Sequence, residues 1–398
     1  MHNFEYRQGE LYCEQVPVSQ IAKQVGTPCY IYSHATLIRH IRAYDNAFKN
    51  IPHLIAFAMK ANSNLAILRL MANEGSGVDI VSGGELFRAL KAGVSPSKIV
   101  FAGVGKHAEE IRDALKAEIL MFNIESSAEM HAINDVAASV GKIAPVALRI
   151  NPDIDPKTHP YISTGLKKSK FGIAADRALE EFGVASTLRH IHVVGVHAHI
   201  GSQLTEVTPF VESLKKVLTL VDTLKGQGIN IRYLNIGGGL GITYSDEKPP
   251  LPHELAEALS PLVKGLDLTL VMEPGRVIVG NAGILVTKAL YEKIGESKRF
   301  VIVDAAMNDL IRPSLYSAYH DIRPVSEALM HRPKHQVDVV GPVCESGDFL
   351  AKDRSLPEVK PGDLLAVMSA GAYGFVMASN YNSRPPVPEV LVKGNEVH

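Results

Sequence analysis

The sequence predicts an α/β chain: a (β/α)8 TIM-like barrel joined to a second, mostly antiparallel β domain. Two observations predict the barrel. Short apolar, β-branched runs alternate with helix-periodic stretches up to residue 272, the pattern of parallel strands joined by crossover helices. There are eight such runs, and eight strand–helix units in roughly 220 residues suit a closed barrel better than a flavodoxin-like sheet, which needs fewer strands. A third observation predicts the other domain. After Arg276 helical periodicity fades, and strand-like runs are divided by turns rich in Gly, Pro, Asp and Ser.

Taken in order, residues 31–49 read as a lead-in helix, and the barrel strands fall at 53–59, 78–81, 99–102, 119–124, 145–150, 193–199, 233–236 and 268–272. Between them 64–74, 84–92, 108–116, 128–140 and 209–225 have helical periodicity. In the last, Phe210, Leu214, Val217, Leu218 and Val221 share one face, as a helix covering a sheet requires. The β domain draws on runs at 277–279, 283–289, 300–303, 336–340, 363–368 and 389–393. The opening residues, with a strand at 11–14, pack on it. The expected division is therefore 26–272 for the barrel and 1–25 with 273–398 for a β-sandwich or barrel-like domain.

Composition narrows the function. Among 398 residues, 41 Lys+Arg stand against 42 Asp+Glu, a formal charge of −1, which excludes a nucleic-acid binder working by bulk basic charge. At 46% hydrophobic and 21% charged the chain is a folded, enzyme-sized protein and not a disordered one. Cys13, Cys29 and Cys344 form no CxxC pair, which excludes a disulfide framework or a cysteine-rich zinc site and suits a reducing cytoplasm. The first twenty residues lack the basic start and apolar block of a secretory leader, and no apolar run is long enough to span a membrane.

Chemistry in such a barrel gathers at the C-terminal ends of the strands. Lys60 follows an apolar run there, and a partly desolvated amine suits Schiff-base chemistry, although a lysine snorkelling to solvent explains the position as well. Gly237, Gly238, Gly239 and Gly241 after the seventh strand supply backbone N–H groups to which a phosphate can come close; a tight strand-to-helix turn explains the run almost as well. The run is neither a spaced GxGxxG nor a P-loop, so any phosphate belongs to a smaller cofactor. Glu273, ahead of Pro274-Gly275-Arg276, could keep a ring nitrogen protonated or simply pair with Arg276. His197 and His199 alternate on one strand and would suit a metal, yet no further strand-end ligands complete a set; His199 packed flat over a cofactor competes with that reading.

Together, Phe57-Ala58-Met59-Lys60-Ala61-Asn62, His197-Ala198-His199-Ile200-Gly201-Ser202, the glycine run and Glu273-Pro274-Gly275-Arg276 resemble, in order and spacing, the pyridoxal-phosphate decarboxylases of the alanine-racemase-like barrel fold (fold type III). Within that group the chain resembles the diaminopimelate decarboxylases. This narrower likeness rests on His159 to Gly165 leading to Lys170-Phe171-Gly172, on Arg312 to Tyr316, Gly341 to Asp348 and Gly371 to Gly374, and on Asn380 to Pro385. The resemblance implies pyridoxal 5'-phosphate joined to Lys60 as a Schiff base, with His199 stacked on its ring. Ser202, Gly237 to Gly239 and the turn with Glu273, Gly275 and Arg276 would bind phosphate and ring, and Tyr373 would lie against the cofactor. Arg276, Arg312, Tyr316, Glu345 and Tyr373 would line the substrate pocket, with Cys344 as proton donor. It further implies a homodimer in which Cys344 and Glu345 reach the partner's site.

The chemistry so implied is loss of CO₂ from meso-2,6-diaminopimelate to give L-lysine, the last step of lysine biosynthesis. A protonated pyridine ring accepts the carbanion's charge, and a carboxylate at its nitrogen, Glu273, keeps it protonated. A thiol with a pKa near 8.5 can then return a proton. Two arginines and a glutamate suit the distal amino-carboxylate and should reject ornithine, which lacks that carboxylate. The competing readings are a decarboxylase of ornithine, arginine or a carboxylated polyamine, against which Glu345 after Cys344 argues; a metal-dependent barrel hydrolase using His197 and His199; and a cofactor carrier without turnover.

Overall fold

A computed structural model of the chain describes residues 2–154 and 170–398, and the His159 to Gly165 motif lies outside the described residues. The chain parts into two units, one of residues 41–241 and 248–275, the other of 1–40, 242–247 and 276–398.

In the first unit eight parallel strands close on themselves: His53–Ala58, Gly77–Ile80, Ile99–Phe101, Met121–Ile124, Ala144–Asn151, Ile191–His197, Tyr233–Asn235 and Thr269–Met272, each paired with the next and the last with the first. Buried Ala56, Val100, Met121, Ala147, Val194 and Val271 form one apolar cluster, so the barrel is packed and not a pore. The connecting helices start where side chains take up otherwise unpaired N–H groups. Asn64 accepts from Ala66 and Ile67 ahead of Leu65–Asn73, and Ser82 and Ser126 accept from Glu85 and Glu129 ahead of Gly83–Ala92 and Ser127–Ser139. Helix Gly83–Ala92 ends on Gly93 at φ 90°, a left-handed turn that glycine makes without strain.

The second unit is a mostly antiparallel sheet centred on the long strand Gly283–Ile294, which pairs with Cys29–Ser33, Arg299–Val303 and Leu364–Val367. Two pairings are parallel: Arg299–Val303 with Lys334–Val340, and Cys29–Ser33 with Glu389–Lys393. The N-terminal hairpin packs here too, with Phe4, Leu11 and Cys13 sharing a core with Ile31, Ile284, Val286 and Val390. Among the described residues no helix is long and apolar enough to cross a membrane.

Three expectations differ from the structure. The expected strand at 277–279 is the helix Arg276–Val279, because its β-branched run follows the Pro274-Gly275 turn and no strand among the described residues lies alongside for it to pair with. Residues 31–33 complete the strand Cys29–Ser33, and the helix is His34–Phe48, begun by Ser33 Oγ accepting the Thr36 N–H at 3.1 Å. That strand joins the second unit's sheet, so the contact-defined boundary falls after residue 40 and not at 26, while Glu273 to Gly275 stay with the barrel.

Candidate active site

Each unit gathers its own share of the predicted residues. In the barrel unit Lys60 follows the first strand in the short 3-10 turn Met59–Ala61, and its Nζ donates to Asp79 Oδ2 at 2.8 Å. Asp79 stands opposite Ala58 in the strand register, in a strand buried throughout. Glu273, at the end of the eighth strand, is buried as well: its Oε1 accepts from the Asn235 amide at 2.6 Å and the Asn123 amide at 3.2 Å. His197 Nε2 stands 3.6 Å from its Oε2. Asp79, Asn123, His197, Asn235 and Glu273 thus make a polar cluster carried on five of the eight strands or their ends.

The charges here are set by one another. Burial alone would push the Glu273 carboxyl up, but His197, Lys60 and the Asn235 amide hold it well below the usual carboxylate range, so it stays ionised. Burial and the nearby Glu273 charge push Asp79 up to about 6 against the pull of Lys60. His199 is half-buried just beyond the sixth strand. Burial, then Arg149 and Lys60, hold its pKa well below that of a free imidazole, and its Nδ1 accepts the Gly238 N–H at 3.3 Å, which requires a neutral ring.

The glycine run is a cradle with little room. A Cβ at Gly237 would stand 2.6 Å from His199 Nδ1, at Gly238 2.2 Å from the Glu273 carbonyl, and at Gly239 2.8 Å from the Gly201 carbonyl. The expectation of bare N–H groups needs amending. Gly237 N–H donates to Asn235 Oδ1 and Gly238 N–H to His199, whereas Gly239 N–H donates to no described residue. Ser202 is half-buried close behind Gly201, and Gly275 packs on Ala58 and Ala61, where a Cβ would come to 3.0–3.1 Å.

In the β unit Arg276, Arg312 and Tyr373 come together around Tyr244. Arg276 Nη1 donates to the Tyr244 hydroxyl at 2.6 Å, and its guanidinium lies 4.9 Å from the Tyr373 ring centroid. Tyr373 sits at φ 55°, a left-handed conformation uncommon for an aromatic residue. Arg312 opens the helix Arg312–Tyr316, is 6% exposed, and lies 5.0 Å from the Tyr244 ring. Among the described residues it has no carboxylate partner; its Nε donates to His320 Nε2 at 3.2 Å. Tyr316 is half-buried, while Cys344 and Glu345 are exposed. Their loop is fixed by Asp348, which accepts the Met307 and Val343 N–H groups at 2.7 Å, and by Asn382, which accepts the Cys344 N–H at 2.9 Å.

Sequence reasoning missed Asp79, Asn123, Asn235, Tyr244 and His320. The first three carried a signal, a lone carboxylate or amide inside an otherwise apolar barrel strand, where it needs a partner. The last two carried none.

Two observations test whether pyridoxal phosphate suits the barrel residues. Asp79 Oδ1, Asn123 Oδ1 and both ring nitrogens of His197 are buried without a hydrogen-bond partner among the described residues, which marks a place for a polar ligand beside Lys60 and Glu273. The glycine cradle is closed to any side chain but offers the Gly239 N–H. The residues fit. A barrel with an amine, a buried carboxylate and a glycine cradle at the ends of its strands defines the class of barrel enzymes built to carry that cofactor.

Comparisons with known proteins agree. Residues 34–280 match the family model described as pyridoxal-dependent decarboxylase, pyridoxal binding domain. The chain is 54% identical to diaminopimelate decarboxylase of Pseudomonas aeruginosa over 100% of its own length and 95% of that protein's, and 53% identical to that of Vibrio cholerae with the same coverage. Among solved structures, diaminopimelate decarboxylase from Helicobacter pylori complexed with L-lysine superposes with a TM-score of 0.92 at 47% identity, over 96% of this chain and 95% of that one. The chain belongs to the family of pyridoxal-dependent decarboxylases, in the branch of the diaminopimelate decarboxylases.

The metal reading of the histidine pair finds less support. His197 faces Glu273 and His199 takes the Gly238 N–H, and among the described residues no group of three or more His, Cys, Asp or Glu is placed to hold an ion.

Proposed function

We propose that this chain decarboxylates meso-2,6-diaminopimelate to L-lysine and CO₂. Beyond the family, the reading is carried by the buried pair of guanidiniums, Arg276 and Arg312, both in contact with Tyr244. Arg312, buried and with no carboxylate partner among the described residues, is costly to leave so, and a substrate bearing a second, unreacting carboxylate satisfies it. When bound, pyridoxal phosphate supplies an electron sink for the charge left by departing CO₂. Lys60 presents its amine to the cofactor aldehyde from a site paired with Asp79. Glu273, kept anionic by its neighbours, holds a proton on the ring nitrogen. His199 would pack on the ring, and Ser202, Gly275, Arg276 and the cradle of Gly237 to Gly239, which has the Gly239 N–H to offer, would hold the phosphate side.

Arg276 and Arg312 orient the distal carboxylate, with Tyr316 and Tyr373 beside it and Glu345 accepting the distal ammonium. Cys344 Sγ returns the proton to carbon. Exposed Cys344 and Glu345 support a homodimer in which they serve the partner's site. Exposed apolar groups on the barrel unit support it too: Phe87, 67% exposed, and Leu90 on helix Gly83–Ala92, with Val81 and Val104. We place the protein in the cytoplasm, in keeping with three free cysteines.

The test is CO₂ release by the pyridoxal-phosphate-loaded protein offered meso-diaminopimelate, L-ornithine, L-arginine and a carboxylated polyamine in parallel. Release from diaminopimelate alone is expected. Equal turnover of ornithine would remove the two-arginine account of specificity.

A further inference from the structure

His320 appears in no expectation drawn from the sequence, yet it is fully buried and both of its ring nitrogens are engaged. Nδ1 lies 2.9 Å from the Met368 carbonyl, and Nε2 lies 3.2 Å from Arg312 Nε. A carbonyl can only accept and a guanidinium can only donate, so the ring is neutral, with its proton on Nδ1 and its lone pair on Nε2 aimed at Arg312. Burial and the Arg312 charge lower its pKa to about 3, in keeping with that neutral form. Its ring also meets Tyr244 edge-on, centroids 5.4 Å apart at 81°.

A guanidinium has two edges on which it can hold a carboxylate through two parallel hydrogen bonds: the side formed by Nε with one Nη, and the end formed by both Nη groups. Here the Nε–H is spent on His320, and the guanidinium carbon stands 5.0 Å from the Tyr244 ring centroid. Only the end remains. The geometry points to His320 as a positioning residue that fixes the rotation of Arg312 and makes it present its two Nη groups, end-on, to the distal carboxylate of the substrate. This deepens the proposed function and rests on Arg312 being a substrate residue.

The two nitrogens of His320 can be separated by substitution. His320→Asn keeps a donor where Nδ1 stands and so keeps the Met368 bond, but it does not reach Arg312. His320→Gln puts an acceptor near the place of Nε2. L-lysine is a suitable probe, because it retains only the carboxylate assigned to Arg312, and its binding to the loaded enzyme is measurable by calorimetry without turnover. For His320→Asn the Kd of L-lysine and the KM of diaminopimelate are expected to rise about tenfold with kcat within about twofold, as for a lost hydrogen bond to a charged group. For His320→Gln both should stay within about threefold of wild type.

Equal behaviour of the two variants, whether both impaired or both intact, overturns the positioning role. If the Asn variant does not fold, a tenfold loss of L-lysine binding in the Gln variant overturns it alone. Arg312→Ala separates the two levels. If it leaves KM unmoved, the substrate reading of Arg312 falls. If it raises KM while His320→Asn does not, only the role of His320 falls.

Discussion

Gly238→Ala tests the cradle most directly. The new methyl carbon would stand 2.2 Å from the Glu273 carbonyl oxygen, about 1 Å inside ordinary contact, so something must move by that distance. The carbonyl cannot swing aside alone. Glu273 N–H donates to the Gly237 carbonyl at 2.8 Å, and the next carbonyl, Pro274, accepts the Ala58 N–H at 3.1 Å. A shift of 1 Å carries the Glu273 carboxylate away from Asn235, now 2.6 Å distant, which costs about 1.5–3 kcal/mol for a hydrogen bond to a charged group. Overpacking adds about 1–3 kcal/mol. The sum, roughly 2.5–6 kcal/mol, corresponds to a fall in melting temperature of roughly 5–24 °C for a unit of this size. Gly183→Ala is the control, since its Cβ meets nothing within 4 Å in the helix Ala178–Thr187, and it should be neutral or slightly stabilising. Thermal unfolding followed by circular dichroism gives the first readout, and titration of the apoprotein with pyridoxal phosphate gives the second. A Gly238→Ala protein that melts within a degree of wild type and binds the cofactor undiminished would refute the cradle as a rigid, sterically closed phosphate site.

Three further outcomes are expected. Lys60→Ala should abolish the visible absorbance that pyridoxal phosphate shows when joined to the protein; a retained band would put the linkage on another amine. Arg312→Ala should raise KM for diaminopimelate about 10–100-fold while leaving the cofactor spectrum unchanged, as expected for loss of a bidentate charged contact, and equal damage to both would remove Arg312 from the substrate residues. His320 should make stability fall on acidification. Its folded pKa, about 3, lies below the unfolded value of 6.5, so between these limits the unfolded chain binds a proton that the native ring refuses. At 1.36 kcal/mol per unit the loss from pH 7 to pH 5 is about 2 kcal/mol. Denaturant unfolding at both pH values should show wild type losing about that much more than His320→Gln, and equal losses would contradict the assignment.

The barrel is readable because most of each strand is buried on both faces and therefore appears as a largely apolar run with a polar residue at its end. The same criterion hid the residues below those ends. Asp79, Asn123 and Asn235 sit inside runs read as plain strands, though a carboxylate in Gly77-Val78-Asp79-Ile80 has to be matched by a cation, here Lys60. Val277, Ile278 and Val279 were misjudged because β-branching favours a strand only where a pleated neighbour is at hand, and these residues follow a turn set by Pro274-Gly275. Residues 31–33 read as the start of a helix, and the strand Cys29–Ser33 goes unseen, because its pairing partners lie some 250 and 360 residues further along the chain. Of the candidate site, Lys60, Glu273, Arg276 and Arg312, which the structure sets in polar or aromatic clusters, are all legible as strand-end or motif residues in the sequence. Those that orient them, Tyr244 and His320 above all, act through contacts between distant segments and leave no local pattern.

The six residues 242–247, which bring Tyr244 to the arginines, belong to the β unit although both flanks belong to the barrel. The backbone consequently changes unit four times, after residues 40, 241, 247 and 275. No single incision yields two complete halves: a gene fragment ending at 275 carries the excursion away from its sheet, and one starting at 276 lacks both the N-terminal hairpin and the tyrosine. Neither half could be exchanged between relatives as one cassette, and a recombinant that respected only the boundary at 275 would inherit Tyr244 from one parent and the guanidiniums it touches from the other.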